Sequence, residues 1–365
     1  MYDKITDPEN PNSNLKVQKA IEQPDQINHT FLNHFKAKRQ LTVEEFVKGI
    51  LEGNRTVLSQ AITLVESSLY EHQTKAQKII EQCLPHAGKS IRVGITGVPG
   101  VGKSTTIEAL GNMLTKQQHK LAVLAIDPSS EKTKGSILGD KTRMETLANN
   151  PSAFIRPSPS AGSLGGVARK TREIIVLCEA AGYDVIFVET VGVGQSEVAV
   201  ASMVDFFLLL QLANAGDELQ GIKRGIMEMA DAISINKADG DNKAPSELAA
   251  RQYRNALALF PPSSSGWQPQ VFTSSAYTLD GIDHIWETIS DYVTLTKGNG
   301  YFYQRRNEQN LRILSETINY HLTQRFYEDK QIRLRLEQVR KDVLDNRISA
   351  YVAAQTLIDE YFSQS

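Results

Sequence analysis

The sequence predicts an α/β domain, in which a mostly parallel sheet carries helices on both faces, with an N-terminal helical extension and a C-terminal helical arm. Two observations support this prediction. From Ile91 onward, short apolar runs alternate with helical stretches, which is the pattern of a parallel sheet covered on both faces. From residue 300 to the end, apolar side chains instead recur at helical spacing.

Changes in composition divide the chain into four expected segments. Residues 1–36 are polar and contain three prolines, so we expect a loosely ordered tail. The other segments are an N-terminal helical domain at 37–88, the α/β domain at 89–296 and the helical arm at 297–365.

Three helices are expected in the N-terminal helical domain. The first begins at "LTVEEF", where Thr42 and Glu45 have capping-box spacing, and ends at "EGN". The second spans about Thr56 to Tyr70, and the third ends near Pro85. Six apolar runs are then the expected strands: "IRVGIT", "LAVLAI", "DVIFV", "FFLLLQL", "AISIN" and "QVFTS".

The arm follows a break at "KGNG". Its apolar stripe is Leu311, Leu314, Ile318 and Leu322, which recur at helical spacing. This stripe either packs on the core or forms a subunit interface, and the spacing alone leaves both open.

Charge and cysteine content restrict the class of protein. A net charge of -2 and a pI near 6.4 give no basic footprint for nucleic acid or an anionic membrane. Cys83 and Cys178 are far apart in apolar, helix-like stretches, so we expect buried free thiols in a reducing compartment. With neither a signal peptide nor a membrane span visible, the expected location is the cytoplasm.

A phosphate-binding loop follows the first strand. "GVPGVGKS" fits G-x-x-x-x-G-K-[ST] between a strand and a helix, so backbone N–H groups and the helix N-terminus can face phosphate oxygens. The expected phosphate-binding residues are Gly97, Val98, Pro99, Gly100, Val101, Gly102, Lys103, Ser104 and Thr105. Lys103 is expected to reach the β- and γ-phosphates, and Ser104 to ligate Mg²⁺.

Acidic residues at strand ends are candidates for the magnesium site. Asp127, Asp140 and Glu189 end or follow strands at the edge where α/β proteins bind ligands. Lys103, Asp127 and Glu189 are therefore the expected catalytic residues. Gly192 and Gly194 after Glu189 would allow a backbone N–H to approach the γ-phosphate, so we expect a second switch here. Gln195 either orients water or is a solvated polar residue.

A second motif indicates the base. Asn236, Lys237 and Asp239 form N-K-x-D after a strand, and a carboxylate at Asp239 can accept the two donors of guanine that adenine lacks. We therefore expect GTP rather than ATP. The "FTSSA" segment, through Ser274, Ser275 and Ala276, is expected to place backbone N–H groups near the guanine oxygen.

Several longer segments carry a family resemblance: "GVPGVGKSTTIEALG", "AIDPSSEKTKGSILGDKTRM", "FIRPSPSAGSLGGVARKTRE", "VIFVETVGVGQSE" and "ANAGDELQGIKRGI". Over roughly residues 55–325 the chain resembles the methylmalonyl-CoA mutase-associated GTPases, which are chaperones of adenosylcobalamin-dependent acyl-CoA mutases. Members were formerly described as arginine/ornithine transport kinases.

The resemblance implies a homodimeric GTPase that gates adenosylcobalamin loading and protects or reactivates its mutase. It implies that Ser104, Asp127, Asp140 and Glu189 surround Mg²⁺, and that the arm is the dimerisation element. A third switch would couple GTP or GDP state to the partner through Asp217, Glu218, Gln220 and Lys223. Hydrolysis is expected to be slow alone and faster when the mutase orders Lys223 or Arg224.

The chain contains no D-x-H-x-x-G cobalamin-ligating motif, so the cobalamin is expected to bind to the partner. The sequence leaves open whether that partner acts on methylmalonyl-, ethylmalonyl- or isobutyryl-CoA. The alternatives are a GTPase chaperone for nickel insertion, a transport-linked kinase using ATP and a GTP-gated scaffold. Seven scattered histidines disfavour the first, and N-K-x-D disfavours the second.

Overall fold

The computed structural model describes residues 41–127, 144–159, 164–190, 196–213 and 224–363. The chain divides into two units, Met1–Thr42 and Val43–Ser365, and every helix and strand given below belongs to the second. The predicted polar tail, residues 1–36, lies outside the described residues.

A parallel sheet forms the centre of the second unit. Its strands are β1 (Ile91–Gly97), β2 (Leu121–Asp127), β3 (Ala153–Pro159), β4 (Val185–Thr190), β5 (Phe206–Gln211), β6 (Ala232–Ile235) and β7 (Gln270–Thr273). Their spatial order is β3-β2-β4-β1-β5-β6-β7, and each neighbouring pair is parallel. The predicted fold class is confirmed, since each of the six apolar runs corresponds to a strand.

Strand β3 is absent from those six runs for a physical reason. Its apolar part is only three residues long, and Pro157 and Pro159 follow within the strand. Proline donates no N–H to a ladder and is confined mainly to edge strands. Strand β3 tolerates both prolines because it lies at the edge of the sheet and pairs with β2 alone.

In chain order, helices precede the first strand, connect the strands and follow the last one. Before the sheet come α1 (Val43–Leu51), α2 (Arg55–Glu66) and α3 (Tyr70–Cys83). Between the strands come α4 (Lys103–Lys116), α5 (Glu145–Ala148), α6 (Leu164–Ala180), α7 (Ser196–Ala201), α8 (Arg224–Met229) and α9 (Lys243–Leu257). After the sheet come α10 (Ile282–Gly298), α11 (Tyr301–Glu328), α12 (Lys330–Leu344) and α13 (Ala350–Ser363). In the described ranges, none of these helices is long and apolar enough to cross a membrane.

Both faces of the sheet are covered. Helices α4 and α10 pack on one face, in a core that includes Leu110 and Ile285. Helix α9 packs on the other face through Tyr253, against β5, β6 and β7. Since β4 and β5 are buried along their whole length, the sheet is a rigid support for the loops at its carboxyl edge.

The second N-terminal helix ends four residues earlier than expected. It stops at Glu66, and α3 begins only at Tyr70. The Ser67 hydroxyl accepts the backbone N–H of Leu69 at 3.2 Å, and His72 Nδ1 lies 2.9 Å from the same hydroxyl. A serine hydroxyl that accepts the backbone N–H two residues later competes with helix formation, which explains the break.

Both cysteines are buried and free, as the sequence predicts. Cys83 ends α3, and Cys178 lies in α6.

The arm stripe is exposed in the single chain. Helix α11 forms over the predicted region, and Leu311, Leu314, Ile318 and Leu322 are exposed by 66%, 57%, 49% and 49%. These values contradict packing of the stripe on the core of the same chain. The subunit-interface alternative remains.

The first turns of α11 attach the arm to the amino edge of the sheet. Arg306 donates from Nε and Nη2 to the Asp205 carboxylate at 2.8 and 2.7 Å. It also donates to the carbonyl oxygens of Gly88 at 2.6 Å and Ser90 at 2.7 Å, and its guanidinium lies 4.4 Å from the Phe302 ring centre. Every terminal nitrogen of Arg306 is therefore bonded, which fixes the root of the arm.

We expect Arg306→Ala to lower the free energy of unfolding by about 3 kcal/mol, because removing one partner of a buried ion pair leaves the other charge uncompensated. The Asp205 side chain is only 2% exposed. Urea denaturation measures the change. Arg312→Ala removes an exposed pair with Glu316 in the same helix and should cost less than about 0.5 kcal/mol. Equal losses in the two variants would contradict this account.

Candidate nucleotide-binding site

The phosphate-loop sequence forms a tight turn between β1 and α4. Gly97, Gly100 and Gly102 have φ angles of 150°, 79° and 98°, which favour glycine. A Cβ on Gly97 would lie 2.4 Å from the carbonyl oxygen of Leu210 in the neighbouring strand. The loop therefore depends on glycine both for its conformation and for its close approach to β5.

Lys103 lies at the first position of α4 and is 8% exposed. Its Nζ donates to the carbonyl oxygens of Gly97 at 2.7 Å and Val98 at 3.2 Å. These bonds hold the ammonium over the loop whose backbone N–H groups would face phosphate.

A hydroxyl and a carboxylate meet below the loop. Ser104 Oγ donates to Glu189 Oε1 at 3.0 Å, and Glu189 is buried. Hard oxygen donors of this kind suit Mg²⁺. Asp127 ends β2, which pairs with β4, so its backbone lies at the same edge of the sheet, although its side chain is outside the described part.

The described part of the chain holds no larger group of metal-ligating side chains. Among the described residues, no cluster of three or more His, Cys, Asp and Glu side chains is placed to hold a metal. Asp140, the remaining predicted ligand, lies outside the described residues.

A pair of hydroxyls joins β1 to β4. Thr96, just before the loop, and Thr190, just after Glu189, place their Oγ1 atoms 2.8 Å apart, and both residues are buried. This hydrogen bond fixes the ends of β1 and β4 relative to each other. The motif search did not single out either threonine, because each is an ordinary strand residue until the strands are paired.

The predicted base-binding motif contacts the phosphate loop directly. Asn236 Nδ2 donates to the carbonyl oxygen of Val101 at 2.7 Å and lies 3.3 Å from Thr106 Oγ1. Its own backbone N–H donates to Gln211 at 2.7 Å. Asn236 is buried, so its amide joins the two predicted nucleotide-binding segments rather than projecting into solvent.

A hydroxyl orients the Asp239 carboxylate. Ser275 Oγ donates to Asp239 Oδ2 at 2.5 Å, which fixes one carboxylate oxygen. Ser274 Oγ lies 2.6 Å from Ser234 Oγ, and this buried pair supports the same loop from β6. The carboxylate is thereby oriented before any ligand binds.

The "FTSSA" segment offers fewer free donors than its sequence suggests. The N–H groups of Ser274 and Ser275 already donate to the carbonyl oxygens of Ile235 and Asp280, both at 2.9 Å. Within the described ranges, the N–H of half-buried Ala276 has no such acceptor. Of the three predicted residues, Ala276 is the one whose N–H is available to a base oxygen.

Lys237 bridges the two segments with its side-chain stem. It adopts a φ of 59°, which is uncommon for a residue with a Cβ. Its Cε lies 4.0 Å from the position of a Cβ built on Gly102. The stem therefore passes beside the phosphate loop.

Gly102 offers a test of this arrangement. A Cβ at this position would lie 2.6 Å from Asn236 Nδ2. We expect Gly102→Ala to lower the free energy of unfolding by about 2 kcal/mol or more, because the positive φ is strained and Asn236 must move. Gly100→Ala is the control, since φ is also positive but no atom lies within 4 Å, and it should cost about 1 kcal/mol. Urea denaturation without nucleotide compares them, and equal losses would contradict the role of the Asn236 contact.

The structure thus joins Ser104 to Glu189 beside Lys103 in the phosphate loop, and Ser275 to Asp239 in the base-binding segments, with Asn236 connecting the two groups. The predicted switch residues lie outside the described residues: Gly192, Gln195, Asp217, Glu218, Gln220 and Lys223. A phosphate loop after the central strand β1 and an N-K-x-D loop after β6, joined through Asn236, define a P-loop GTP-binding protein.

Known proteins agree with this class. The chain is 47% identical over 318 residues to a probable GTPase of Mycobacterium tuberculosis, covering 87% of this chain and 95% of that protein. It is 45% identical over 327 residues to the GTPase ArgK of Escherichia coli, covering 88% and 99%. It is 44% identical over 337 residues to the mouse mitochondrial methylmalonic aciduria type A homolog, covering 90% and 81%.

A solved structure shows the same fold. The crystal structure of a LAO/AO transport system kinase superimposes with a TM-score of 0.70 at 38% identity, covering 88% of this chain and 98% of that one. Residues 58–331 match the family described as "Methylmalonyl Co-A mutase-associated GTPase MeaB". The chain belongs to this family of GTPases, and the predicted resemblance is confirmed.

Proposed function

We propose that this chain binds GTP with Mg²⁺ and hydrolyses it to GDP and phosphate as a chaperone of an adenosylcobalamin-dependent acyl-CoA mutase. The observation that supports GTP most strongly is the direct contact between its two nucleotide-binding segments. Asn236 holds the carbonyl oxygen of Val101 while Asp239, three residues later, keeps an oriented carboxylate. Phosphate and base recognition are therefore parts of one hydrogen-bonded unit.

In this proposal the phosphate end of the site stabilises charge. Lys103 contacts the β- and γ-phosphates in place of the carbonyl oxygens of Gly97 and Val98. Mg²⁺ neutralises phosphate charge when bound, and the proposed residues around it are Ser104, Asp127, Asp140 and Glu189. Phosphoryl transfer requires positioning and charge neutralisation more than covalent chemistry, so Lys103, Asp127 and Glu189 suffice as its proposed catalytic residues.

The base end selects guanine. Asp239 accepts hydrogen bonds from N1–H and the exocyclic amino group of guanine, whereas Ala276 donates its N–H to the guanine oxygen. Lys237 lies along the base with its aliphatic stem. Adenine would leave the Asp239 carboxylate without donors, which opposes ATP.

The proposed client is methylmalonyl-CoA mutase. The family description names this mutase, and the mouse relative carries the name of methylmalonic aciduria. Cobalamin would bind to the client, and this chain would gate its loading and protect the loaded enzyme. The coupling residues would be Gly192, Gln195, Asp217, Glu218, Gln220 and Lys223.

We also propose that the active form is a homodimer joined through the arm. The support is the apolar stripe of α11, which is unusually exposed for four regularly spaced aliphatic side chains. Light scattering after gel filtration tests the dimer. Leu314→Glu should shift the mass toward the single chain, whereas Gln324→Glu on the same helix should leave it unchanged.

The experiment that tests the proposed function is phosphate release from GTP by the purified protein, alone and with a methylmalonyl-CoA mutase, with ATP as the control. Slow turnover of GTP that the mutase accelerates supports the proposal. If the protein hydrolyses GTP but no acyl-CoA mutase changes the rate, the proposed client is wrong and the proposed GTPase activity stands. A preference for ATP, or transfer of phosphate to a protein, would favour the transport-linked kinase named for the similar crystal structure.

A further inference from the structure

Arg172, which lies in the middle of α6, connects three elements of the structure. Its Nη2 donates to Ser202 Oγ, just after α7, at 2.8 Å. Its Nη1 donates to Glu316 Oε2, in the arm helix α11, at 2.7 Å. The Arg172 guanidinium is largely buried, whereas the Glu316 side chain is 39% exposed, so the bond to the arm joins a buried donor to a partly exposed carboxylate.

The third nitrogen of the Arg172 guanidinium, Nε, is in a different situation. Among the described residues, its buried Nε has no hydrogen-bond partner. Arg306 at the arm root shows the contrasting case, since its Nε and both terminal nitrogens are bonded. An unpaired buried donor costs free energy, so an alternative arrangement that pairs it can compete with the observed one.

The arm holds the same chain segment at further points. Gln309 Nε2 donates to the carbonyl oxygen of Val204 at 2.9 Å, and Arg305 Nη2 lies 3.5 Å from that of Ala201. The end of α7 and the connection to β5 therefore lie in direct contact with α11. A displacement of α7 along its axis would break or lengthen all of these bonds together.

Helix α7 also packs against the strand that leads to the phosphate loop. Val200 of α7 packs on β1 so closely that its Cγ1 lies 2.8 Å from a Cβ built on Gly94. Strand β1 leads into the phosphate loop, and α7 follows β4, which carries Glu189. In GTPases, switch segments are ordered by contacts with the γ-phosphate and Mg²⁺ and are released on hydrolysis. The predicted second switch lies between β4 and α7.

We propose that Arg172 is a positioning residue that transmits the nucleotide state from α7 to the arm, through Ser202 on one side and Glu316 on the other. The inference rests on the proposed binding of GTP and GDP. Its consequence reaches the surface, because a movement of α11 at Glu316 also moves Leu314 and Ile318, which lie on the opposite, exposed face of the same helix. Nucleotide exchange would thereby alter the surface that faces a partner.

Hydrogen–deuterium exchange of the full chain tests the proposal, with GDP compared with a non-hydrolysable GTP analogue. In the wild type, the amides of α11 around Glu316 should differ between the two nucleotides by about fivefold or more in exchange rate, the lower end of typical coupling between sites. Arg172→Met and Ser202→Ala should each abolish that difference. Ser202→Ala removes one hydroxyl only, so it keeps the test open if Arg172→Met folds poorly.

Arg312→Met is the matched control, because Arg312 Nε donates to the other oxygen of Glu316 at 2.9 Å but lies in the arm itself. It should keep the difference between the nucleotides. Protection of the phosphate loop and α4 by GDP reports nucleotide binding separately. The inference is wrong if those amides are protected but the α11 exchange rates of the wild type are the same with GDP and with the GTP analogue. It is also wrong if Arg172→Met and Ser202→Ala keep the wild-type difference between the two nucleotides. In both cases the GTP-binding proposal stands. If the loop shows no protection, the proposed function itself fails.

Discussion

Asp239→Asn is expected to lower the affinity for GTP by about 10⁴-fold and to create a preference for xanthosine triphosphate. Ser275 donates to one side-chain oxygen of Asp239. An asparagine keeps an oxygen for that hydroxyl, so its NH₂ group takes the place of the other oxygen. Guanine then meets a donor where it needs an acceptor, whereas the carbonyl oxygen of xanthine accepts from it.

Competition between labelled nucleotides measures this exchange of preference. Asp241→Asn is the control, because Asp241 is an exposed acidic residue two positions away and should leave both affinities unchanged. Unchanged GTP affinity in Asp239→Asn would refute the assignment of the base. Loss of all nucleotide binding would instead mean that the variant loop has collapsed, which Ser275→Ala checks, since it removes only the orienting hydroxyl.

Lys103→Met is expected to lower GTP turnover by about 10²- to 10³-fold, the range found when one preorganised electrostatic group is removed from a transition state. Lys103 is stationed over the loop by two carbonyl oxygens, and methionine preserves the length of the side chain without its charge. Phosphate release at saturating GTP measures the loss. Because the charge acts on the transferring phosphoryl group, kcat should fall by a larger factor than the affinity for GDP.

Lys116→Met is the matched control, since Lys116 is the exposed last residue of the same helix and should leave turnover unchanged. A Lys103→Met protein that retains full turnover would show that the charge of Lys103 is not used in hydrolysis. Thermal unfolding of both variants without nucleotide verifies that neither has lost its fold.

The candidate site could be predicted from local patterns because the chemistry of its motifs is local. The phosphate loop and N-K-x-D each depend on a few neighbouring residues after a strand, and the structure places both at the carboxyl edge of one parallel sheet. The six long apolar runs were equally visible. Strand β3 was not visible in the sequence, because prolines argue against a strand although an edge strand tolerates them.

The contacts that join the site are non-local and could not be read from the sequence. Asn236 is a base-recognition residue by motif, yet its amide holds Val101 and Thr106, more than a hundred residues earlier in the chain. Thr96 and Thr190 meet only because β1 pairs with β4. Likewise, helical spacing in the arm could not distinguish packing on the core from exposure, because both outcomes require the same apolar stripe.

The two buried cysteines allow local opening of the structure to be measured by thiol labelling. Burial raises the pKa of the Cys83 thiol to about 11, and burial together with the nearby Glu179 carboxylate raises the pKa of Cys178. Alkylation requires an exposed thiolate, so at neutral pH each cysteine reacts only during moments when its surroundings open. The two labelling rates would report separately how often the C-terminal ends of α3 and α6 separate from the rest of the fold. Alkylation rates measured with and without nucleotide would therefore show whether the nucleotide makes local opening of these two helices rarer, and no engineered label is needed.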